Sequence, residues 1–185
     1  MPNFTRKAIK ESFLKLLSQR PLSQITVKDI VEDCGINRNS FYYHFKDLPD
    51  LVEEIGGEMV SDLMKRYPTI DSVEQSFDAV VDFIMQNKRA IYHIYNSVSR
   101  DIFERHMMEL CRYVAASYIE AAMDGQPPED IAVLVRFHRC ACFGTVIDWL
   151  NSGMKDDIAA YFRQICRLRP GWPAPRKGRC RPVHA

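Results

Sequence analysis

Residues 26–45 read TVKDIVEDCGINRNSFYYHF. Thr26 is a good N-cap for a short helix, VKDIVEDC, whose Val27, Ile30 and Val31 share one inward face. Cys34-Gly35-Ile36-Asn37 then makes a tight turn, with Gly35 free to adopt a left-handed backbone and Asn37 placed to cap a second helix. That second helix, RNSFYYHF, is barely two turns long. A helix that short does not persist alone, so Phe41 and Phe45, four residues apart, must anchor it on its neighbours. Its other face presents Arg38, Asn39, Ser40, Tyr42, Tyr43 and His44. Two short helices joined by a glycine turn, the second with a polar outer face, form a helix-turn-helix.

That outer face suits DNA. Arg38, Asn39 and Ser40 are side chains of the kind that pair with guanine, adenine or phosphate in a major groove. Tyr42, Tyr43 and His44 can reach phosphate oxygens with their polar tips while their rings pack on sugars. Lys46 lies beside the start of a third helix in this stretch, whose backbone N–H groups also attract phosphate.

Outward from this stretch the chain reads as all-α, with about nine helices. A first helix is expected from Thr5 to Gln19, with Ile9, Phe13, Leu16 and Leu17 on one stripe and Pro21 beyond its end. Asp47 caps a fourth helix with Pro49 in its first turn and Leu51, Val52 and Ile55 facing the core. Gly56-Gly57 is expected to interrupt that helix, which ends at Tyr67-Pro68. Further helices are expected near 71–86, 88–97, 100–124, 128–153 and 155–167, with breaks at Gly125 and Gly153. Residues 170–185, PGWPAPRKGRCRPVHA, cannot bury a core and are expected to form a mobile tail. The expected division is a DNA-binding head at 1–46, a helical body at 47–167 whose connecting helix spans 47–66, and a basic tail at 168–185.

The charge pattern agrees with that division. Net charge is +1 over 185 residues, but residues 1–46 carry eight Lys/Arg against four Asp/Glu, and residues 47–167 carry twelve against twenty. The last eighteen residues hold five basic side chains and no acid. A basic head on an acidic body implies that the head meets a polyanion. An apolar fraction of 46% with 26% charged residues is ordinary for a soluble globular chain, and no apolar run is long enough to span a membrane. With charges where a signal peptide needs its apolar stretch, and six cysteines without a CxxC pair, a cytoplasmic protein with reduced thiols is expected.

TVKDIVEDCGINRNSFYYHFKDLPDLVEEI resembles the DNA-binding region of the tetracycline-repressor (TetR/AcrR) family, over about residues 5–55. The Thr-capped helix, the glycine-hydrophobic turn, the FYYHF recognition helix and the Lys-Asp connection all fall at the family's spacing. The resemblance implies that Thr26 is a phosphate-contacting cap and Lys28 an exposed residue of the supporting helix. It places Arg38, Asn39 and Ser40 where bases are read, and Tyr42 and His44 where the backbone or a base edge is touched. One departure is Leu48, where many relatives carry a second lysine. The resemblance further implies a homodimer, an unknown small-molecule effector bound in the body, and a regulator, most often a repressor, of a double-stranded DNA operator.

The body gives residues for both roles. One recognition helix makes too few contacts for specificity, so two copies on a two-fold axis are expected on a pseudo-palindromic operator. In the helix near 128–153, Ile131, Val135, His138, Cys142 and Trp149 line one side, and Val133, Phe137, Cys140, Gly144 and Ile147 the other. A helix apolar on two sides needs two partners; the second set, with Ile158 and Phe162 of the last helix, is expected to meet a twin in a four-helix interface. Phe83, Tyr92, Tyr95, Phe103, His106, Met107, Cys111, Tyr118 and His138 have the composition of a ligand pocket, and equally that of an ordinary core. His138 and Cys142 have metal-ligand spacing, with His93, His106 and Cys111 as possible further ligands, but the expectation is no metal and no cofactor. No Gly-rich phosphate loop, GxSxG elbow or HExxH pair is present, so an enzyme is not expected. Two alternatives remain open: a protein-interaction module that no longer binds an operator, and a regulator that senses redox state through its cysteines.

Overall fold

The computed structural model of the chain describes residues 2–67, 73–123 and 125–168; the expected tail lies outside them, apart from Leu168. Among the described residues there are nine α-helices, one 3-10 turn at Leu22–Gln24 and no strand. They are α1 (Pro2–Leu17), α2 (Val27–Asp33), α3 (Arg38–His44), α4 (Leu48–Arg66), α5 (Val73–Gln86), α6 (Lys88–Tyr95), α7 (Arg100–Ala122), α8 (Pro128–Asn151) and α9 (Ile158–Leu168). Packing divides the described residues into two compact units, one formed by those within 2–66 and 82–109 and the other by those within 67–81 and 110–168. α4 and α6 therefore pack with the helix-turn-helix, so the packing boundary differs from the 46/47 division read from charge and motif.

The first unit is built around one apolar cluster that includes Ile9, Phe13 and Leu17 of α1, Ile30 and Val31 of α2, Phe41, Phe45, and Leu51, Val52 and Ile55 of α4. Phe41 and Phe45 are 0% and 1% exposed, with ring centroids 5.8 Å apart. Fully burying a side chain of this size contributes about 1.5–3 kcal/mol, enough to hold a seven-residue helix that would melt in isolation. Local capping does the rest. Asn37 Oδ1 accepts the Ser40 backbone N–H at 2.8 Å, Asp47 Oδ1 accepts that of Asp50 at 2.9 Å, and Gly35 takes φ +69° in the turn between α2 and α3. Ser12 is buried on α1, but its hydroxyl donates to Ile30 O at 3.2 Å. His93 Nδ1 lies 2.7 Å from Leu17 O; a carbonyl only accepts, so that nitrogen donates and ties α6 to the C-terminal end of α1.

Gly56-Gly57 does not interrupt α4, which runs unbroken from Leu48 to Arg66. The reason is tertiary: a Cβ on Gly56 would lie 2.6 Å from Cδ2 of His106, whose ring sits directly on the helix backbone. Glycine here admits α7 to close contact with α4, and the intrinsic cost of about 1 kcal/mol is outweighed. Beside it, Arg105 donates from one guanidinium nitrogen to both Glu53 oxygens at 2.7 and 2.8 Å. In the second unit, Trp149 Nε1 donates to Asp156 O at 2.9 Å, fixing the turn between α8 and α9 around Gly153, which takes φ +77°.

Gly56→Ala should lower stability by about 1–3 kcal/mol through overpacking. In a His106→Ala background the same change should be neutral or stabilising, because only the helix-propensity gain remains. Urea unfolding of the four proteins in this double-mutant cycle measures the coupling.

Candidate nucleic-acid interface

α3 leaves its anchored face through Arg38, Asn39, Tyr42 and Tyr43, all exposed, with Tyr42 56% and Tyr43 78% accessible. Ser40 and His44 are half-buried at the edges of that face. Tyr42 stands edge-on to Phe41 at 5.5 Å and Tyr43 edge-on to His44 at 5.0 Å, so the outer rings are braced by inner ones and need little ordering on contact. Ser40 is partly committed: its hydroxyl donates to Asn37 Oδ1 at 3.1 Å.

The basic side chains sort sharply by partner. Lys15 pairs with Asp33 at 2.6 Å, Arg20 with Asp29 at 3.2 Å, Lys7 with Glu11 at 3.6 Å and Lys28 with Glu32 at 3.6 Å. Arg6 and Lys10 both reach Glu54 on α4, and Lys10 also reaches Glu58 at 2.6 Å. Arg6 also lies over the Phe45 ring, its guanidinium carbon 5.5 Å from the centroid. Among the described residues, Arg38 and Lys46 alone of the eight cations in residues 1–46 have no carboxylate within ion-pair distance. Composition marks the whole head as basic, whereas the geometry directs the unneutralised charge to the two ends of α3.

Two expected phosphate contacts change character. Thr26 completes a capping box: its backbone N–H and hydroxyl donate to Asp29 Oδ2 at 2.8 and 2.6 Å, and its oxygen accepts the Asp29 backbone N–H at 3.3 Å. A phosphate would compete there with a carboxylate already in place. The start of α4 is similarly occupied. Lys46 N–H donates to Asp50 Oδ2 at 2.9 Å, Asp50 N–H goes to Asp47, and Pro49 has none. Leu48, the departure from the expected lysine, is half-buried against the apolar cluster of the first unit, so it exchanges a charge for packing.

The capping box shifts a titration. The Thr26 hydroxyl and then its backbone N–H hold the Asp29 carboxyl down at about 2, with Arg20 assisting against desolvation. Asp33 is also lowered, by Lys15 and then Ser12. Burial pushes the Glu54 carboxyl up, but hydrogen bonds from Arg6 and Lys10 prevail and hold it below its ordinary value. These clasps are the functional-region residues that sequence spacing does not disclose. Only Asp29, three residues after a threonine cap, carries a readable local signal.

The body residues separate as well. Tyr95, Phe103 and Met107 are buried in the first unit, where Tyr95 and Phe103 stack edge to face at 5.7 Å and the guanidinium of Arg100 lies over the Tyr95 ring. Phe83 and His106 are half-buried there, while Tyr92 is 42% exposed and so departs from the expectation of a pocket wall. Cys111, Tyr118 and His138 belong to the second unit, the first two buried and the third half-buried. His93, considered for a metal, is committed to Leu17 O, and among the described residues no group of three or more His, Cys, Asp or Glu could hold an ion.

On α8, Val133, Phe137, Cys140 and Gly144 are exposed and Ile147 half-buried, whereas Cys142, Val146, Trp149 and Leu150 are buried. The expectation for α9 needs correction. Ile158 and Phe162 are only 4% and 6% exposed, already covered by their own chain, and the large apolar side chains α9 leaves outside are Tyr161 and Leu168.

This site and fold are those of a helix-turn-helix regulator. The family model for bacterial regulatory proteins of the tetR family matches residues 13–55, and that for a transcriptional regulator C-terminal region matches residues 71–171. The chain belongs to the TetR family of transcriptional regulators, a family of regulators and not of enzymes. It is 32% identical over 183 residues to the uncharacterized HTH-type transcriptional regulator YxbF of Bacillus subtilis, an alignment covering 91% of this chain and 45% of that one. It is 29% identical over 119 residues to the HTH-type transcriptional repressor KstR2 of Mycobacterium tuberculosis, covering 64% of this chain and 58% of that one. The chain thus spans about half the length of these curated relatives. The dihydroxyacetone kinase operon activator DhaS shares the fold, with a TM-score of 0.70 at 19% identity, covering 89% of this chain and 93% of that one. No described helix is long and apolar enough to cross a membrane.

Asp29 contributes stability above about pH 4, where the carboxyl is ionised in both states, and that contribution disappears as pH falls through its folded value of about 2. Thermal melts between those limits should show a smaller pH-dependent fall for Asp29→Asn than for the parent.

Proposed function

We propose that the chain is a ligand-responsive repressor that binds a pseudo-palindromic DNA operator as a homodimer. The observation that carries this reading is the outer face of α3, where Arg38 and Asn39 lie beside Tyr42 and Tyr43 on a helix whose opposite side is locked by two buried phenylalanines. Arg38 and Asn39 at the N-terminal end are the base readers; Tyr42, Tyr43, His44 and Lys46 contact the backbone. Ser40, Thr26 and Lys28 contribute less, since their polar groups already have partners in the chain.

Dimerisation is supported by α8. The exposure of Val133 (67%) and Phe137 (53%), in line with Gly144, gives an apolar strip on a helix whose other side is already buried. A groove of about 590 Å³ bounded by Gly144, Trp149 and Tyr161 continues the strip to α9, offering recesses for a partner's side chains. Effector binding is supported by His106, whose Nδ1 is buried without a hydrogen bond and whose Nε2, 3.2 Å from Glu53, lies outside hydrogen-bond geometry. A polar effector group would satisfy that imidazole and shift the α7 contact on α4.

Lys46→Ala should weaken binding to every duplex and reduce the salt slope by about one, whereas Arg38→Ala should relax base preference by about 1–3 kcal/mol at one position. Gel shifts across a salt series check both, and unchanged binding by both variants would overturn the operator reading. Phe137→Asp paired with Val133→Asp should yield a monomer in sedimentation velocity, because two charges would be buried without partners.

A further inference from the structure

α1 ends on a carbonyl that the residues following it leave unsatisfied. The N–H groups of Ser18, Gln19 and Arg20 go to Leu14 O and Leu16 O at 2.9–3.0 Å, and among the described residues no backbone N–H reaches Leu17 O. The next donor in helical order would come from residue 21, which is Pro21 and has no N–H. Leu17 is 0% exposed, so water does not take the missing place, and a buried carbonyl left without a hydrogen bond is costly. His93 of α6 supplies the donor: its Nδ1 lies 2.7 Å from Leu17 O, 76 residues away in sequence. The neutral Nδ1–H tautomer and the imidazolium both donate from that nitrogen, so the bond survives protonation of the ring.

This joint sits where the recognition helix is held. α1 packs directly on α2, α3 and α6. Leu17 belongs to the cluster that receives Phe41 and Phe45, and Ala90 and Ile94, to either side of His93 along α6, pack against the same cluster. Leu17 lies in the DNA-binding region of the family and His93 in its C-terminal region. One side chain of the C-terminal region therefore closes the end of the helix that supports α3.

We propose that His93 is a positioning residue for DNA recognition, its Nδ1–H standing in for the N–H that Pro21 lacks and holding from α6 the end of α1 on which α3 rests. The role in recognition rests on the reading of α3 as the DNA-contacting helix; the bond to Leu17 does not. Base readout needs side chains held within about 0.5 Å of their productive places, whereas attraction between a cation and phosphate tolerates small displacements. Loss of the donor therefore costs discrimination between sequences and spares the sequence-independent attraction of Lys46.

Three variants of the full chain separate the donor from the bulk of the ring. His93→Asn keeps an amide N–H at the place of Nδ1, His93→Gln moves it one bond outward, and His93→Leu fills the space without a donor. In the parent, the ring-nitrogen NMR spectrum should show a slowly exchanging Nδ1–H proton for His93, identified by its absence from His93→Leu; an unprotonated Nδ1 would overturn the bond. Deuterium exchange of peptides spanning residues 14–24 should quicken severalfold in His93→Gln and His93→Leu and stay near the parent rate in His93→Asn. Equal acceleration along the whole chain in all three variants would reduce His93 to a packing residue and overturn the proposal. The DNA readout compares a duplex enriched by the parent from a random-sequence pool with a random duplex of the same length. The affinity ratio between them should fall about tenfold in His93→Gln and His93→Leu, comparable with one mismatched base pair, with random-duplex affinity unchanged and His93→Asn close to the parent. An unchanged ratio in the Gln and Leu variants would overturn the role in recognition. A parent that enriches no duplex would refute the operator reading itself, a failure distinct from that of the joint, which the ring proton and the exchange rates report without DNA.

Discussion

The recognition helix exists because two phenylalanines are buried. Seven residues cannot offset the cost of helix nucleation from their own hydrogen bonds, so α3 borrows stability from the cluster that receives Phe41 and Phe45. Once that face is fixed, helix geometry sets the angular position of Arg38, Asn39, Tyr42 and Tyr43. The Asn37 cap sets where the helix begins, and Gly35 sets the turn that delivers it. Little of the outer face has to be ordered at the moment of contact, which is the advantage of placing readout on a pinned helix instead of a loop.

Charge in the head serves two ends. Half of its cations are spent holding helices together: Arg6 and Lys10 clasp α4 through Glu54 and Glu58, while Lys15 and Arg20 reach α2 through Asp33 and Asp29. The exposed pairs contribute little individually, but they neutralise positive charge away from the recognition helix. The remaining unneutralised charge sits at Arg38 and Lys46, at the ends of the face that would meet phosphate. A helix bundle that presents its free charge this way gains orientation as well as attraction.

α4 and α8 each meet different demands on different sides. α4 begins beside α3, packs Leu51, Val52 and Ile55 into the first unit, and accepts His106 over Gly56. α8 buries Cys142, Val146, Trp149 and Leu150 while leaving Val133 and Phe137 to solvent. An all-round apolar helix reads ambiguously, because hydrophobicity states that two partners exist without saying which are supplied by the same chain. Ile158 and Phe162 illustrate this: their spacing matched an outward strip, and burial within the chain absorbed them.

The all-helical class, the helix-turn-helix, its caps and the outward set on α3 were legible in residues 26–46, because capping, turn chemistry and i, i+4 anchoring are local and leave local signatures. The helix boundaries of the body came from Gly125, Gly153 and the three-to-four spacing of apolar residues for the same reason. Only the tertiary structure decided which cations are neutralised and why Gly56 leaves α4 intact. Those depend on side chains as many as fifty residues apart in sequence, as Gly56 and His106 are. Periodicity names the face a residue occupies, but the neighbour it meets is set by how the helices pack.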